Sequence, residues 1–247
     1  MKKLIYGFMA VATLAGAVTL SAQTADEIVG KYVAAIGGKD AISKVKSMTM
    51  ETSVQVMGTD APGTTTIVDG VGFRSETDFN GQKIIQCLTD KSGWMVNPMA
   101  GAADPTPMPD DQYKARKDDI YVGGQLYDYA AKGSKIEMFG KDGEAYKIKL
   151  TTKDNVEAIY VIDPKTFLVT SVMTKGDMQG QPVDVTTKLS DYRKTEVGYM
   201  VPYAMDIDLG GQFSLTITVK KVELNKTIDP AIFAMPKAPA AAVPAAK

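Results

Sequence analysis

The chain has 247 residues, and its 28 Lys+Arg and 29 Asp+Glu residues give a formal net charge of −1 at pH 7, which argues against a nucleic-acid-binding protein. It contains no histidine, so Ser-His-Asp and Cys-His nucleophiles and histidine-based zinc sites are excluded. The only cysteine, Cys87, excludes an intrachain disulfide. Because the commonest hydrolase designs are closed to this chain, we expect a protein that is not an enzyme and that uses neither a metal nor a cofactor.

Residues 1–22 have the charge and hydropathy pattern of a cleavable secretory signal peptide. Two lysines precede an uncharged, mostly apolar run over residues 4–20, and the small residues Ser21 and Ala22 follow. The alternative is a transmembrane anchor, which usually needs about 20 apolar residues and has no cleavage site. No cysteine follows the cleavage position, so we expect a soluble mature protein of the periplasm that begins near Gln23 and carries no lipid of its own.

The mature chain is predicted to begin with an amphipathic helix. Thr24-Ala25-Asp26-Glu27 matches a capping box, in which the Thr hydroxyl accepts from a backbone N–H three residues on and Glu27 reaches back. Apolar residues then recur every fourth residue from Ile28 to Ile36, and Gly37-Gly38 ends the helix. A second short helix is predicted over Asp40 to Val45.

Strand patterns begin at about residue 47, where apolar side chains alternate along one face: Met48, Met50, Val54 and Val56. Pro62-Gly63 predicts a turn, which is followed by a Thr-rich strand near Thr64–Asp69. Further strands are predicted around Phe73 and over Ile84–Leu88 and Trp94–Asn97.

Pro98 ends this pattern, and four prolines from there to Pro109 predict a loop. Residues 110–131 are the one interior stretch with helical character, which Gly123-Gly124 interrupts. After residue 133, turn signals spaced by strand-length segments predict a meander. Its clearest strand spans Tyr199 to Leu209, where six consecutive odd positions are apolar, and Phe213 to Val219 repeats the pattern.

Strict alternation of apolar and polar residues indicates an antiparallel sheet with one apolar face. About ten strands are predicted, and only the N-terminal helices and residues 110–131 are available to cover that face. The expected fold is therefore mainly β (α+β), a curved antiparallel sheet or incomplete β-barrel with a helical lid, in one domain over residues 23–236. The Pro/Ala-rich residues 237–247 are predicted to be a disordered tail.

Several short motifs follow one another in a set order over most of residues 25–236: Ile36–Ile42, Gly93–Pro98, Tyr160–Thr166, Asp191–Arg193, Gly198–Tyr203 and Asn225–Phe233. Trp94-Met95-Val96-Asn97-Pro98 is similar to the Trp-x-x-Asn-Pro strand end of the LolA/LolB type of periplasmic lipoprotein carrier. With the other motifs in the same order, the sequence resembles that superfamily, and in particular its divergent outer-membrane lipoprotein-sorting type.

This resemblance implies an eleven-strand half-barrel closed by helices, with lipid acyl chains held in its cavity. It implies a soluble periplasmic carrier of lipid or lipoprotein acyl chains that is involved in outer-membrane lipoprotein sorting. Membrane-bound donor and acceptor proteins would be its partners, and we expect a monomer. The alternative is a non-enzymatic envelope interaction or scaffold module with a filled core and no ligand.

The predicted ligand-binding residues lie on the apolar sheet face and in the lid: Phe73, Arg74, Trp94, Met99, Met108, Tyr113, Tyr121, Leu126, Tyr203, Met205 and Ile207. Trp94 is expected either to close the cavity or to anchor its strand. Arg74 lies near the position of an Arg that is important for loading in the family, although the family's Arg-Pro pair is absent. It either pairs with a lipid headgroup or is a solvated strand-end residue. For the apolar residues among these, ordinary packing in the core is an alternative that explains the pattern nearly as well as ligand binding.

Two other features are expected to have no chemical role. Asp110-Asp111 and Asp118-Asp119 lack the spacing of an EF-hand, so they are predicted to be solvated charges and not a metal site. Cys87 lies in an apolar, strand-like segment and is predicted to be an inert buried thiol.

Overall fold

The structure, a computed structural model, describes residues 23–178 and 181–236. The predicted signal peptide (residues 1–22) and the predicted tail (residues 237–247) lie outside these ranges. Helices form a small part of the described chain: α1 Ala25–Ala35, α2 Gly38–Ile42 and α3 Asp110–Arg116, with 3₁₀ turns at Pro98–Ala100, Lys117–Ile120 and Pro230–Phe233. None of the helices in these ranges is long and apolar enough to cross a membrane.

The described residues contain thirteen strands: β1 Ser47–Val56, β2 Thr59–Val68, β3 Gly72–Phe79, β4 Gln82–Thr89, β5 Gly93–Asn97, β6 Ala102–Pro107, β7 Lys135–Asp142, β8 Ala145–Thr151, β9 Glu157–Ile162, β10 Val169–Met178, β11 Gln181–Lys194, β12 Met200–Leu209 and β13 Phe213–Leu224. They form one sheet in the order β6-β5-β4-β3-β2-β1-β13-β12-β11-β10-β9-β8-β7. The end strands β6 and β7 do not pair with each other, so the expected mainly-β incomplete barrel is confirmed, with more strands than the resemblance implies.

The predicted capping box at the start of α1 is present. The backbone N–H of Glu27 donates to Thr24 Oγ1 over 3.2 Å, and the N–H of Thr24 donates to Glu27 Oε2 over 3.1 Å. The second helix covers Gly38–Ile42 and not Asp40 to Val45. The chain turns between the two helices at Gly37, where φ is 116° and an added Cβ would lie 2.5 Å from the carbonyl oxygen of Gly198.

The predicted turn at Pro62-Gly63 is wrong, because both residues lie inside β2. The turn falls at Met57-Gly58, which have φ values of 49° and 80°. Strand β2 pairs with β1 along its whole length, whereas its pairing with β3 starts only at Gly63. Pro62 therefore breaks no ladder bond on the β3 side, where its missing N–H has no partner to lose.

The predicted loop from Pro98 to Pro109 is also wrong in part. A 3₁₀ turn covers Pro98–Ala100, and residues Ala102–Pro107 form β6, which pairs with β5 alone. An edge strand tolerates Pro105 and Pro107 because the N–H groups on its free side would have no partner in the sheet.

Only the first part of residues 110–131 is helical. Helix α3 and the following 3₁₀ turn end at Ile120, and the chain then runs through successive turns to Gly133. Gly124 has a φ of 70°, and a Cβ on Gly123 would lie 2.5 Å from the Tyr127 ring. These two glycines therefore allow a compact path that a regular helix could not follow. Residues 110–133 are called the lid segment below.

Most of the core lies on one face of the sheet, called here the inner face, which carries α1, α2 and the lid segment. Met48, Ile67, Phe73 and Leu88 lie opposite one another in successive strands and pack beneath α2 and the lid segment. In the other half of the sheet, the fully buried side chains of Ile148, Leu150 and Ile162 pack beneath α1. Because strand side chains alternate, the residues between these positions point to the outer face.

Candidate functional site

The lid segment is tied to the sheet at its centre, around Val122. The N–H of Val122 donates to Asp69 Oδ1 over 3.0 Å, and its carbonyl accepts from the Tyr199 hydroxyl over 2.7 Å. Burial raises the pKa of Tyr199, so this hydroxyl keeps its proton and remains a donor. Further along, the Tyr160 hydroxyl donates to Gln125 Oε1 over 3.1 Å. These bonds hold the lid segment against the inner face at β9 and beside the ends of β2 and β12.

Charged groups fix the start of the lid segment. Arg116 donates from Nε to Asp119 Oδ2 over 2.9 Å and from Nη1 to Gln86 Oε1 on β4. The Arg116 guanidinium also lies 5.3 Å from the centre of the Phe73 ring, and Lys117 pairs with Asp154. Burial raises the pKa of Asp119, and the Arg116 charge opposes this effect. The Arg116 side chain thus joins the lid segment to Gln86 on β4.

Lys132, near the end of the lid segment, bonds to residues earlier in the same segment. Its ammonium donates to the carbonyls of Gly124 over 2.7 Å and Tyr127 over 2.5 Å. It lies 4.6 Å from the centre of the Tyr121 ring and 5.9 Å from that of Tyr127. Burial lowers the pKa of Lys132 to about 8, although nearby Asp side chains oppose the shift. The partly desolvated ammonium of Lys132 therefore contacts several successive turns of the lid segment and holds them together.

The space directly beneath the lid segment is filled by side chains. Leu126 packs with Ile148 and Leu150 in one cluster, and Ile120 packs with Leu88 and Met108 in another. All of these side chains are buried. Beneath the lid segment, core side chains therefore occupy the place where the resemblance implies a cavity.

Beyond the lid segment, the inner face continues as an apolar strip that no helix of the described residues covers. The strip, called here the open trough, is formed by half-buried side chains on three neighbouring strands: Val54, Val56, Met205, Ile207, Leu209, Phe213, Leu215 and Ile217. Val54 lies opposite Ile217, which lies opposite Met205; the next row joins Val56, Leu215 and Ile207. The open trough is thus one continuous surface across β1, β13 and β12, adjoining the core.

The C-terminal segment packs on the outer face. The indole N–H of Trp94 donates to the carbonyl of Phe233 over 2.8 Å, and the Cys87 thiol approaches the same oxygen at 3.3 Å. Arg74 donates to the carbonyl of Ile232 over 3.1 Å, and its guanidinium lies 5.4 Å from the centre of the Trp94 indole. Burial raises the pKa of Cys87 to about 11, in keeping with the inert thiol that the sequence predicts.

The predicted site residues are consequently divided. Most lie on the inner side: Phe73 on the sheet and Met108, Tyr113 and Tyr121 in or beside the lid segment share one cluster, Leu126 belongs to a second, and Tyr203, Met205 and Ile207 lie on β12. Arg74 and Trp94 lie on the outer face, so neither can share a site with the lid segment. Met99 lies in the turn between β5 and β6, where it is 60% exposed.

Sequence reasoning missed Arg116, Gln86 and Lys132. No motif singles out any of them, because their partners come from other strands or from turns that only the folded lid segment creates. The apolar residues of the open trough on β12 and β13 could be identified from the sequence, because apolar and polar residues alternate along both strands.

No protein-family profile and no curated protein matches the sequence. The fold, however, is similar to that of solved structures. An outer membrane lipoprotein-sorting protein domain from Vibrio parahaemolyticus has 11% identity and a TM-score of 0.54, covering 84% of this chain and 94% of that chain. A LolA superfamily protein from Nitrosomonas europaea has 11% identity and a TM-score of 0.57, covering 86% of this chain and 98% of its own.

A third similar structure is a DUF1329 family protein from Desulfovibrio piger, with 13% identity and a TM-score of 0.55, covering 85% of this chain and 96% of that chain. At these identities the likenesses concern the fold. They confirm, at that level, the resemblance to LolA-like proteins on which the sequence interpretation depends.

Proposed function

We propose that the protein binds acyl chains of lipid or lipoprotein on the open trough and carries them through the periplasm. The observation that supports this proposal is the apolar inner surface of β1, β13 and β12, which is half-buried and adjoins the core but is not covered by the lid segment. A surface of this kind offers apolar contacts to a long chain on a side that the lid segment leaves open.

The energetics favour reversible binding. Each buried CH₂ group contributes roughly 0.8 kcal/mol, so a chain that buries about six of them gains roughly 5 kcal/mol. Binding also orders the chain, which offsets part of this gain. An open trough with modest net affinity suits a protein that must release its cargo, and it requires no opening of the packed region beneath the lid segment.

The setting proposed for this activity is the bacterial envelope. The predicted signal peptide supports export, and one structural neighbour is described as an outer membrane lipoprotein-sorting protein domain. We propose by analogy that membrane-bound donor and acceptor proteins load and unload the carrier and that it performs no catalysis.

The direct test is to purify the mature protein from periplasm and examine it by native mass spectrometry. Bound phospholipid or acylated peptide is the expected result, together with binding of a fluorescent fatty-acid probe by the delipidated protein. Leu215→Asn should weaken probe binding about tenfold, since it places an amide in the open trough. The matched control is Ser214→Asn on the outer side of the same strand, which should leave binding unchanged. Repeatedly empty protein that also fails to bind the probe would reject the proposal.

The filled core beneath the lid segment favours a second candidate, an envelope interaction module without a lipid ligand. Leu126 and Ile148 are buried there and belong to one packed cluster, as in an ordinary core. The two candidates differ in the probe experiment. A scaffold module would bind no probe, and its Leu215→Asn variant would differ from the native protein only in association with other proteins.

A further inference from the structure

The inner face of β2, β3 and β4 becomes polar at the edge of the region that the lid segment covers, next to Arg116. Thr65 lies opposite Ser75, and Ser75 lies opposite Gln86, so three polar side chains form a row across neighbouring strands. Thr77 follows on the same face of β3, one row farther from the lid segment. This group of four is called the polar patch. It stands in contrast to the wholly apolar open trough on the other side of β1.

The hydroxyl groups of the polar patch lack protein partners. Thr65, Ser75 and Thr77 are half-buried, and their hydroxyls form no hydrogen bond with another residue in the described part of the chain. Gln86 accepts from Arg116 through Oε1, while its amide nitrogen donates to no described residue. The patch therefore presents several free donors on a partly sheltered surface, where a ligand can replace water.

Arg116 extends the polar patch from the lid side. Two of its guanidinium nitrogens, Nε and Nη1, are engaged with Asp119 and Gln86, while Nη2 forms no hydrogen bond with a described residue. Because Asp119 balances the Arg116 charge, the surroundings are close to neutral and rich in donors. They suit acceptor oxygens on a neutral or zwitterionic group better than a bare cation.

The polar patch and the open trough meet at β1. A Cβ added to Gly63 would lie 2.7 Å from Thr52 Oγ1 and 3.2 Å from Thr77 Oγ1. Because glycine has no side chain, nothing at position 63 stands between the polar patch and the open trough. From Ser75 on β3 to Ile217 on β13 there are three strand spacings, roughly 14 Å at about 4.8 Å each. The row of Ile217 also lies four residues farther along β1 than the row of Ser75, roughly 13 Å at about 3.3 Å per residue, so the two positions are roughly 19 Å apart. A single amphiphile can span both surfaces.

We infer that the polar patch is the head-group subsite of the inner face, and that it binds the ester and phosphate oxygens of an acyl ester whose chain lies in the open trough. This inference rests on the proposed function, because the chain must occupy the trough for the head to reach the patch. It assigns the ligand to the acyl esters with oxygen-rich heads, and it assigns Thr65, Ser75, Thr77 and Gln86 as hydrogen-bond donors to that head.

The test compares two probes that share a sixteen-carbon chain and a trimethylammonium group. Palmitoyl lysophosphatidylcholine carries ester and phosphate oxygens, whereas hexadecyltrimethylammonium carries none. Affinities are measured by displacement of a fluorescent fatty acid, below the critical micelle concentration of each probe. The double substitution Ser75→Ala/Thr77→Val should weaken the lysophospholipid about tenfold, because two hydrogen bonds are lost, and should leave the affinity for hexadecyltrimethylammonium within about twofold.

Thr64→Val is the matched control, since it removes a hydroxyl from the outer side of β2 and should affect neither probe. Glycerophosphocholine, which is the head group without the chain, should not compete at the same concentration. Strong competition by it would assign the patch to free phosphate esters and overturn the inference. Equal losses for both probes, or no loss for either, would also overturn it. If neither probe binds the native protein, the proposed function fails and the subsite fails with it.

Discussion

At the scale of single residues, Phe233 fixes the C-terminal segment to the outer face. Its carbonyl receives the Trp94 indole N–H, and its ring is buried against the backbone of Gly72. A buried aromatic ring and a satisfied indole together stabilise this contact through both apolar burial and a hydrogen bond. The contact needs glycine at position 72, because no side chain fits between the strand and the ring.

We expect Gly72→Ala to destabilise the protein by roughly 1–3 kcal/mol. The new Cβ would lie 2.6–2.8 Å from three ring atoms of Phe233, so either the ring or the strand must move. The measurement is the free energy of unfolding from urea titrations followed by circular dichroism. An unchanged free energy would mean that Phe233 does not rest on Gly72.

The control for this substitution is Gly30→Ala in α1. Nothing lies within 4 Å of the added Cβ at that position, and alanine has a higher helix propensity than glycine. The control should therefore raise the free energy of unfolding by up to about 1 kcal/mol, in the opposite direction to Gly72→Ala.

The placement of Arg74 illustrates what a sequence can and cannot establish about a single residue. Phe73 and Arg74 are adjacent in a strand, so the two side chains must point to opposite faces, and only one could face the lid segment. That rule was available before the structure. The partner of Trp94 was not, because Phe233 lies 139 residues away and no pattern joins the two positions.

At the scale of elements, the lid segment depends on a small number of polar contacts and on Lys132. Burial lowers the pKa of Lys132 to about 8 in the folded protein, from an ordinary value of 10.5. Between these two pH values the unfolded chain binds more protons than the folded protein. The Lys132 contribution to the free energy of unfolding therefore rises with pH across this window, and below it the folded protein bears the full cost of burying the charge.

We expect the native protein to gain stability relative to a Lys132→Met variant as the pH is raised from about 7.5 to about 10. The gain should be roughly 2–3 kcal/mol, since each pKa unit corresponds to about 1.4 kcal/mol. The measurement is the difference between the two free energies of unfolding at each pH. Other groups, including the buried tyrosines, titrate in both proteins and cancel in this difference.

Lys91→Met provides the comparison, because it makes the same substitution at an exposed side chain and so measures the effect of the exchange without the burial. A difference for Lys132→Met that does not rise with pH would contradict the burial of the Lys132 ammonium in the closed lid segment.

Elements with a local cause were predicted well, and those with a tertiary cause were not. Helix α1 follows from a capping box contained in four residues. Strand β12 follows from its own alternation. Strand β6 exists only because β5 lies beside it, and the path of residues 121–133 depends on contacts with Asp69, Tyr160 and Tyr199. Proline content and helical character were therefore misleading guides in those two segments.

At the scale of the whole molecule, alternation along the chain and the shortage of helices were enough to predict an incomplete barrel. They could not predict which end of the inner face is filled. That outcome depends on the lid segment, whose tie points at Asp69, Tyr160 and Tyr199 lie on or beside strands far apart in sequence. The apolar face predicted as one site is thus divided into packed core and open trough.

An incomplete barrel also leaves two edge strands, β6 and β7, and they differ in how well they are protected against pairing with another chain. Strand β6 carries Pro105 and Pro107, which discourage pairing with another strand. Strand β7 has no proline, and Met138 and Phe139 on it are 38% and 50% exposed. Its protection consists of the exposed charges of Lys135, Glu137 and Lys141 and of the register irregularity around Gly140, where φ is 96°, and these leave Met138 and Phe139 open between them. Self-association, if concentration drives it, should therefore start at β7.

We expect the protein to be monomeric at micromolar concentration and to associate weakly near millimolar concentration through β7. Phe139→Lys should suppress that association, because a charge on an exposed edge opposes strand pairing. It should leave the melting temperature nearly unchanged, since the side chain is half exposed. Sedimentation velocity over a concentration series measures both states. Met99→Lys, which adds the same charge at another exposed apolar residue, should not suppress association. If both variants act alike, net charge and not the β7 edge governs self-association.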